Sequence, residues 1–221
     1  MAHIAAKEVS VRITSGQTIL DGDLGRPDVT SGLVIFAHGS GSSRFSERNR
    51  AVARALQQHG FATLLLDLLT REEERVDAVT REYRFDIDRL AQRVVAAIDW
   101  SAVESRTREL PIACFGASTG AAAALIAAAD RPAAVQAVVS RGGRPDLAGA
   151  ALPRVAAPTL LIVGGDDEPV IGLNETAMAA MKAKVELLII PGATHLFEEP
   201  GTLEQVTMST IEWCRTHLTS R

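Results

Sequence analysis

The chain is short of every feature that would mark a nucleic-acid-binding, membrane or disulfide-built protein. Its 221 residues carry 23 Lys and Arg against 27 Asp and Glu, a formal net charge of −4, so it lacks the basic footprint that nucleic-acid binding needs. No apolar stretch approaches the roughly 18 residues of a membrane span. The opening residues, MAHIAAKEVSVRITSG, place charges where the apolar part of a signal peptide belongs. Cysteine occurs only at Cys114 and Cys214, both in apolar surroundings. That predicts reduced core thiols in a cytoplasmic protein rather than a disulfide. No group of His, Cys, Asp and Glu has metal-ligand spacing, so neither a metal nor a cofactor is expected. Repeats, low-complexity segments and linkers are missing too. What is there is ordinary for a globular protein, with 47% apolar and 23% charged residues. The length suits one α/β domain over residues 1–221 with a sizeable core and no separate cap domain.

Residues 7 to 23 alternate apolar and polar around a Ser15-Gly16 turn, which predicts an antiparallel hairpin. Six short apolar runs follow: Leu33 to Ala37, Ala62 to Leu66, Pro111 to Phe115, Val135 to Val139, Thr159 to Val163 and Val185 to Ile190. Such runs suit strands of a parallel sheet buried on both faces. Helical stripes separate them. One is Ala51, Val52, Ala55 and Leu56, stopped by Gly60; another is Ile87, Leu90, Val94 and Ile98. Alanines 121 to 124 begin a third, and the last runs from about Thr202 to Leu218. The alternation predicts an α/β fold with a mostly parallel sheet of about eight strands and helices on both faces. Chemistry in such sheets gathers at the carboxyl ends of the strands.

The stretch CFGASTGAAA, residues 114 to 123, lies at one of those ends. Gly116-Ala117-Ser118-Thr119-Gly120 fits G-x-S-x-G between a strand and a helix, the pattern of a sharp turn that lifts a nucleophilic serine above the sheet. Its glycines allow strand and helix to approach without a Cβ clash. A serine needs a base. Of five histidines, His3 is in the N-terminal tail, while His59 and His217 sit near helix ends where a solvated ring is expected. His38 belongs to a glycine-rich turn, which it is expected to brace. His195 stands in the loop after the last strand and is the candidate base.

A carboxylate must orient that base. Asp166, Asp167 and Glu168 follow the penultimate strand, and spacing alone does not choose among them. The order Ser, Asp, His is that of α/β-hydrolases. The turn FAHGSGSS after the first core strand suits an oxyanion hole, with donors assigned to the backbone N–H groups of Ser40 and Thr119. A dinucleotide loop is the rival reading of HGSGSSR, but Arg44 stands where its third glycine belongs.

Together, His38 to Gly41, Gly116 to Gly120, GGDDEPV and PGATH resemble the α/β-hydrolase superfamily, and within it the dienelactone hydrolase-related family. The resemblance covers nearly the whole chain. It implies an α/β-hydrolase fold and a hydrolytic triad, and its Asp-x-x-Val pattern maps onto Asp167 and Val170. It also implies a cysteine nucleophile, whereas this chain has Ser118, and Cys114 lies four residues upstream inside a strand. A carboxylic-ester hydrolase, acting on small esters or lactones, is therefore expected rather than an enzyme of dienelactone. Acyl transfer or perhydrolysis by the same triad, and a non-catalytic binding domain, are the alternatives.

Two segments bear on the pocket. Residues 71 to 86 are dense in both charges, and read either as a solvated helix laced with ion pairs or as a flap that points Tyr83 and Phe85 at the substrate. Arg141 and Arg144 follow another strand, and either could clamp a substrate carboxylate or pair locally with Asp146.

Overall fold

The computed structural model describes residues 6–219. The hairpin forms as expected, with β1 (Lys7–Ser15) antiparallel to β2 (Thr18–Arg26) and Ile13 opposite Leu20. Gly16 turns the chain at φ 61°, a conformation glycine takes without a Cβ clash. Then strands and helices alternate: β3 (Gly32–Ala37), α1 (Glu47–Gln58), β4 (Phe61–Leu66), α2 (Arg71–Thr80), α3 (Ile87–Ser101), β5 (Ile112–Ala117) and α4 (Thr119–Asp130). After β6 (Val135–Arg141) two short 3-10 turns occupy Pro145–Arg154, parted by Gly149. The chain closes with β7 (Thr159–Gly164), α5 (Glu168–Ala180), β8 (Val185–Ile190) and α6 (Thr202–His217).

These strands make one eight-stranded sheet in the order β1-β2-β4-β3-β5-β6-β7-β8. β2 meets β4 antiparallel, and every pair from β4 to β8 is parallel. Alternate side chains of the central strands feed two cores, as the two-residue strand period requires. Leu33, Ile35 and Cys114 face α3 and α4; Val34, Phe36, Ala113 and Phe115 face α1 and α6. The result is an α/β-hydrolase fold. Among the described residues no helix is long and apolar enough to cross a membrane.

One strand departs from expectation. Val185–Ile190 reads as a strand buried on both faces, yet only Ile190 is buried and Ile189 is exposed. β8 is the sheet's edge, paired on one side only with β7, so apolar content there does not imply full burial.

Candidate active site

The carboxyl ends of β5, β7 and β8 and the loop after β3 converge on one site. Ser118 caps α4 with φ 51° and ψ −123°. A positive φ at a residue with a side chain is uncommon, and its cost must be met by the surroundings. Here the surroundings are the backbone itself. Ser118 N–H donates to Arg141 O (3.3 Å), and Ser118 O accepts from Ala121 N–H (3.1 Å) and Arg144 N–H (3.0 Å). The flanking glycines are sterically required. A Cβ on Gly116 would lie 2.4 Å from Ala121 Cα, and one on Gly120 would lie 2.3 Å from Ala37 O. Gly39 crosses so close that its Cβ would lie 2.9 Å from Ser118 Cβ.

His195 and Asp167 meet at 2.7 Å between Nδ1 and Oδ2. The Nδ1–H therefore donates to the carboxylate, which leaves the Nε2 lone pair to accept a proton. Asp166 and Glu168 are exposed and make no bond to His195 among the described residues. The structure thus singles out Asp167 among the three acids. Glu199 braces the histidine loop, accepting Thr194 N–H (3.1 Å) and the Thr194 hydroxyl (2.5 Å). Ser118 and His195 flank the start of the β6 loop: a Cβ on Gly142 would lie 3.7 Å from His195 Cε1. No hydrogen bond joins Ser118 Oγ to His195 among the described residues; such contacts commonly tighten only with substrate bound.

The loop after β3 is held from three directions. His38 is buried, accepts Leu68 N–H on Nε2 (2.9 Å) and so donates from Nδ1 to Gly39 O (2.9 Å). It braces the turn as a neutral ring, and burial lowers its pKa. Ser40 Oγ lies 3.1 Å from Arg84 O, which can only accept, so Ser40 is the donor there. In the 2.9 Å contact between Ser40 Oγ and Thr119 Oγ1, Thr119 then supplies the proton. Ser40 N–H, expected to point at an oxyanion, donates instead to Thr119 Oγ1 (3.1 Å). Behind Arg84 stands Asp77, which accepts Tyr83 N–H (2.9 Å), Arg84 N–H (2.8 Å) and Arg84 Nε–H (2.7 Å).

Residues 71 to 86 take the first of the two forms expected of them, a solvated helix and loop laced with ion pairs. α2 walls a cavity of about 780 Å³ against the loop after β3, lined by Ser40, Arg44, Asp67, Arg71, Glu74 and Arg84 among others, but Ser118, Asp167 and His195 are not in its lining. Tyr83 does not line it. Its ring packs on the core with Arg89 4.6 Å from its centroid, and Phe85 is exposed to solvent. Arg144 forms a bidentate pair with Asp146 (both bonds 2.8 Å). Arg141 is buried and bonds Asn49 Oδ1 (3.0 Å).

His59 is exposed as expected. His217 is not: it stacks on Trp213 with centroids 4.2 Å apart, because residues four apart share a helix face. His3 lies outside the described residues. The sequence offered no signal for Asp77, which follows a run of three glutamates, Glu72 to Glu74, in a segment dense in both charges. Cys114 and Cys214 are free and buried, and burial pushes each thiol up to about 12, so neither stands in for the serine.

A model of the dienelactone hydrolase family matches residues 20–213. Two Mycobacterium tuberculosis proteins, from strains CDC 1551 and H37Rv, are 54% identical over 212 residues and carry the provisional name phosphoribosyl transferase. The match covers 96% of this chain and 47% of each relative, so the chain spans about half the length of the curated relatives it matches. The crystal structure of a dienelactone hydrolase from Anabaena variabilis superimposes with a TM-score of 0.95 at 56% identity, over 97% of this chain and 99% of that one. Est1E from Butyrivibrio proteoclasticus shares the fold at TM-score 0.77 and 18% identity, over 94% and 98% of the two chains.

Proposed function

The chain belongs to the dienelactone hydrolase family, and on that premise we propose that it is a serine hydrolase of small carboxylic esters, lactones included. One observation carries the reading: a serine forced to positive φ at the start of α4, a conformation whose cost is understandable where the hydroxyl does chemistry. Ser118 Oγ attacks the ester carbonyl while His195 Nε2 takes its proton. Asp167 keeps the ring in the Nδ1–H tautomer and stabilises the imidazolium. Thr119 N–H, in the first turn of α4 where amides have no partner within the helix, receives the oxyanion. Ser40 N–H joins it by exchanging the Thr119 hydroxyl for the oxyanion. His195 returns the proton to the leaving alcohol, and water then cleaves the acyl-enzyme.

Acyl transfer and perhydrolysis would use the same residues with another acceptor. The transferase name belongs to relatives about twice this length, and the residues around Ser118 favour hydrolysis of an acyl group. A non-catalytic binding domain would have no use for a strained serine. The test is turnover of p-nitrophenyl acetate and butyrate by wild type and Ser118→Ala, with labelling by a fluorophosphonate. The expected result is a loss of at least about 10³-fold in kcat in the variant, and labelling of wild type only. Equal turnover by both proteins would overturn the assignment of Ser118.

A further inference from the structure

A strap of three residues, 142–144, joins β6 to the first 3-10 turn and meets the nucleophile, the base and the helix of the acid. Gly142 takes φ 51° and donates its N–H to Ile162 O on β7 (2.8 Å). It lies so close to the histidine loop that a Cβ there would come within 2.9 Å of His195 O and 3.3 Å of Phe197 Cε2. Arg144 donates its N–H to Ser118 O (3.0 Å). Gly143, between them, would place a Cβ 2.6 Å from Ala121 Cβ in the first turn of α4, so the strap has no slack on that side. The carbonyl of Gly143 is held by a side chain: it accepts from Asn174 Nδ2 (3.1 Å).

Asn174 belongs to α5, the helix that Asp167 caps, and is fully buried. Its Nδ2 also donates to Val170 O (2.8 Å), and Val170 N–H in turn donates to Asp167 O (2.9 Å). One amide nitrogen therefore uses both of its hydrogens, one on the first turn of the acid's helix and one on the strap. The Oδ1 of the same amide is sealed without a partner. An unpaired buried polar atom costs free energy, and the fold bears that cost while keeping the two donors. Leucine would offer no donor here, ionised aspartate only acceptors, and serine a single one. The carboxylate of Asp167 makes no cap bond to its own helix, because it is given to His195. The start of α5 must then be held against the Ser118 turn by contacts further along the helix, and Asn174 supplies one.

We propose that Asn174 is a positioning residue for the triad: through the strap it fixes the helix of Asp167 against the turn that carries Ser118, so that the Asp167–His195 pair stands in register with the nucleophile. The inference rests on the serine-hydrolase reading and adds to it a residue that touches neither the substrate nor a reacting atom.

The experiment follows p-nitrophenyl acetate turnover, the rate of fluorophosphonate labelling, thermal unfolding and the downfield Nδ1–H proton resonance of His195 in wild type, Asn174→Ala and Asn174→Ser. In Asn174→Ala, kcat and the labelling rate are expected to fall about 10- to 100-fold, the scale on which a misplacement of about 1 Å acts. KM should stay within about twofold, and the His195 resonance should weaken or move. Asn174→Ser, which keeps one donor, should lie between that variant and wild type. A variant that melts lower, yet matches wild type in kcat, labelling rate and resonance while folded, would overturn the proposal, because Asn174 would then only satisfy a buried carbonyl. A raised KM at unchanged kcat would overturn it too, since that marks lost binding rather than lost alignment. If neither variant folds, wild type decides: phosphonylation of Ser118 should shift the carboxamide resonances of Asn174, and unchanged resonances would overturn the coupling. If wild type labels without turning over the ester, the labelling rates carry the same outcomes. If it does neither, the hydrolase reading falls and this inference with it.

Discussion

α4 and α2 both follow a strand's carboxyl end, yet they are held in opposite ways. Ten of the twelve residues of α4 are buried, nearly all alanine or glycine. Of the ten residues of α2, only Asp77 is buried. The first helix is fixed by backbone and methyl contacts that leave no slack. The second is anchored by hydrogen bonds to two carboxylates, Asp77, which accepts from Tyr83 and Arg84, and Glu73, which accepts from Arg89 and Arg93 of α3, so it belongs to the less stable part of the molecule. The candidate nucleophile rides on the immobile helix. The other walls the cavity beside the loop after β3 and carries little apolar packing.

The largest expected effect tests the tightness of α4. In Gly120→Ala the new Cβ would meet Ala37 O at 2.3 Å and His38 O at 2.5 Å, both backbone atoms. Destabilisation by about 3 kcal/mol or more is expected, a fall of roughly 6–12 °C in melting temperature. A loss below about 1 kcal/mol would show slack in α4 and break the contrast.

A middling effect tests the anchor of α2. Asp77→Asn removes the charge that holds Arg84 and two backbone amides. A loss of about 2 kcal/mol in urea unfolding at pH 7 is expected. Burial alone would raise the pKa of Asp77, but the bonds from Arg84 and Tyr83 overrule it and hold the carboxyl below its ordinary value. A carboxyl depressed in the folded state stabilises above its unfolded pKa, near 4, and that stability is lost as pH falls through the folded value. The gap between wild type and variant should therefore close below pH about 4. A gap that persists in acid would mean that shape, not charge, anchors the helix.

The smallest effect sharpens the contrast at the far end of α4. Arg131, which caps it, forms two 2.7 Å bonds with Asp99 of α3, but both side chains are well exposed. Asp99→Asn should cost at most about 0.5 kcal/mol in the same unfolding assay. A larger cost would show that α4 too leans on charge.

Much of this was legible in the residues. The central strands are continuous apolar runs, and the motif at Ser118 needs glycine at positions where any side chain would strike backbone. His195 and Asp167 fall in loops that a parallel sheet brings to one edge. Asp77 was hidden because Glu72, Glu73 and Glu74 beside it carry the same charge, and only the fold buries one of the four. Tyr83 and Arg141 were expected at a substrate by their place in the chain, but rotamer and packing send Tyr83 under Arg89 and Arg141 beneath α1.

By itself the sequence determined the alternation of strands and helices, the parallel sheet, and the three loops that hold serine, acid and histidine. These follow from period, turn chemistry and steric necessity, which are local. Only the tertiary structure decided which of three acids meets His195, that Ser40 N–H is held by the Thr119 hydroxyl, and that Arg141 is buried without a counter-ion. Each of those depends on where a side chain ends relative to residues far away in the chain, and no local rule of spacing contains that distance.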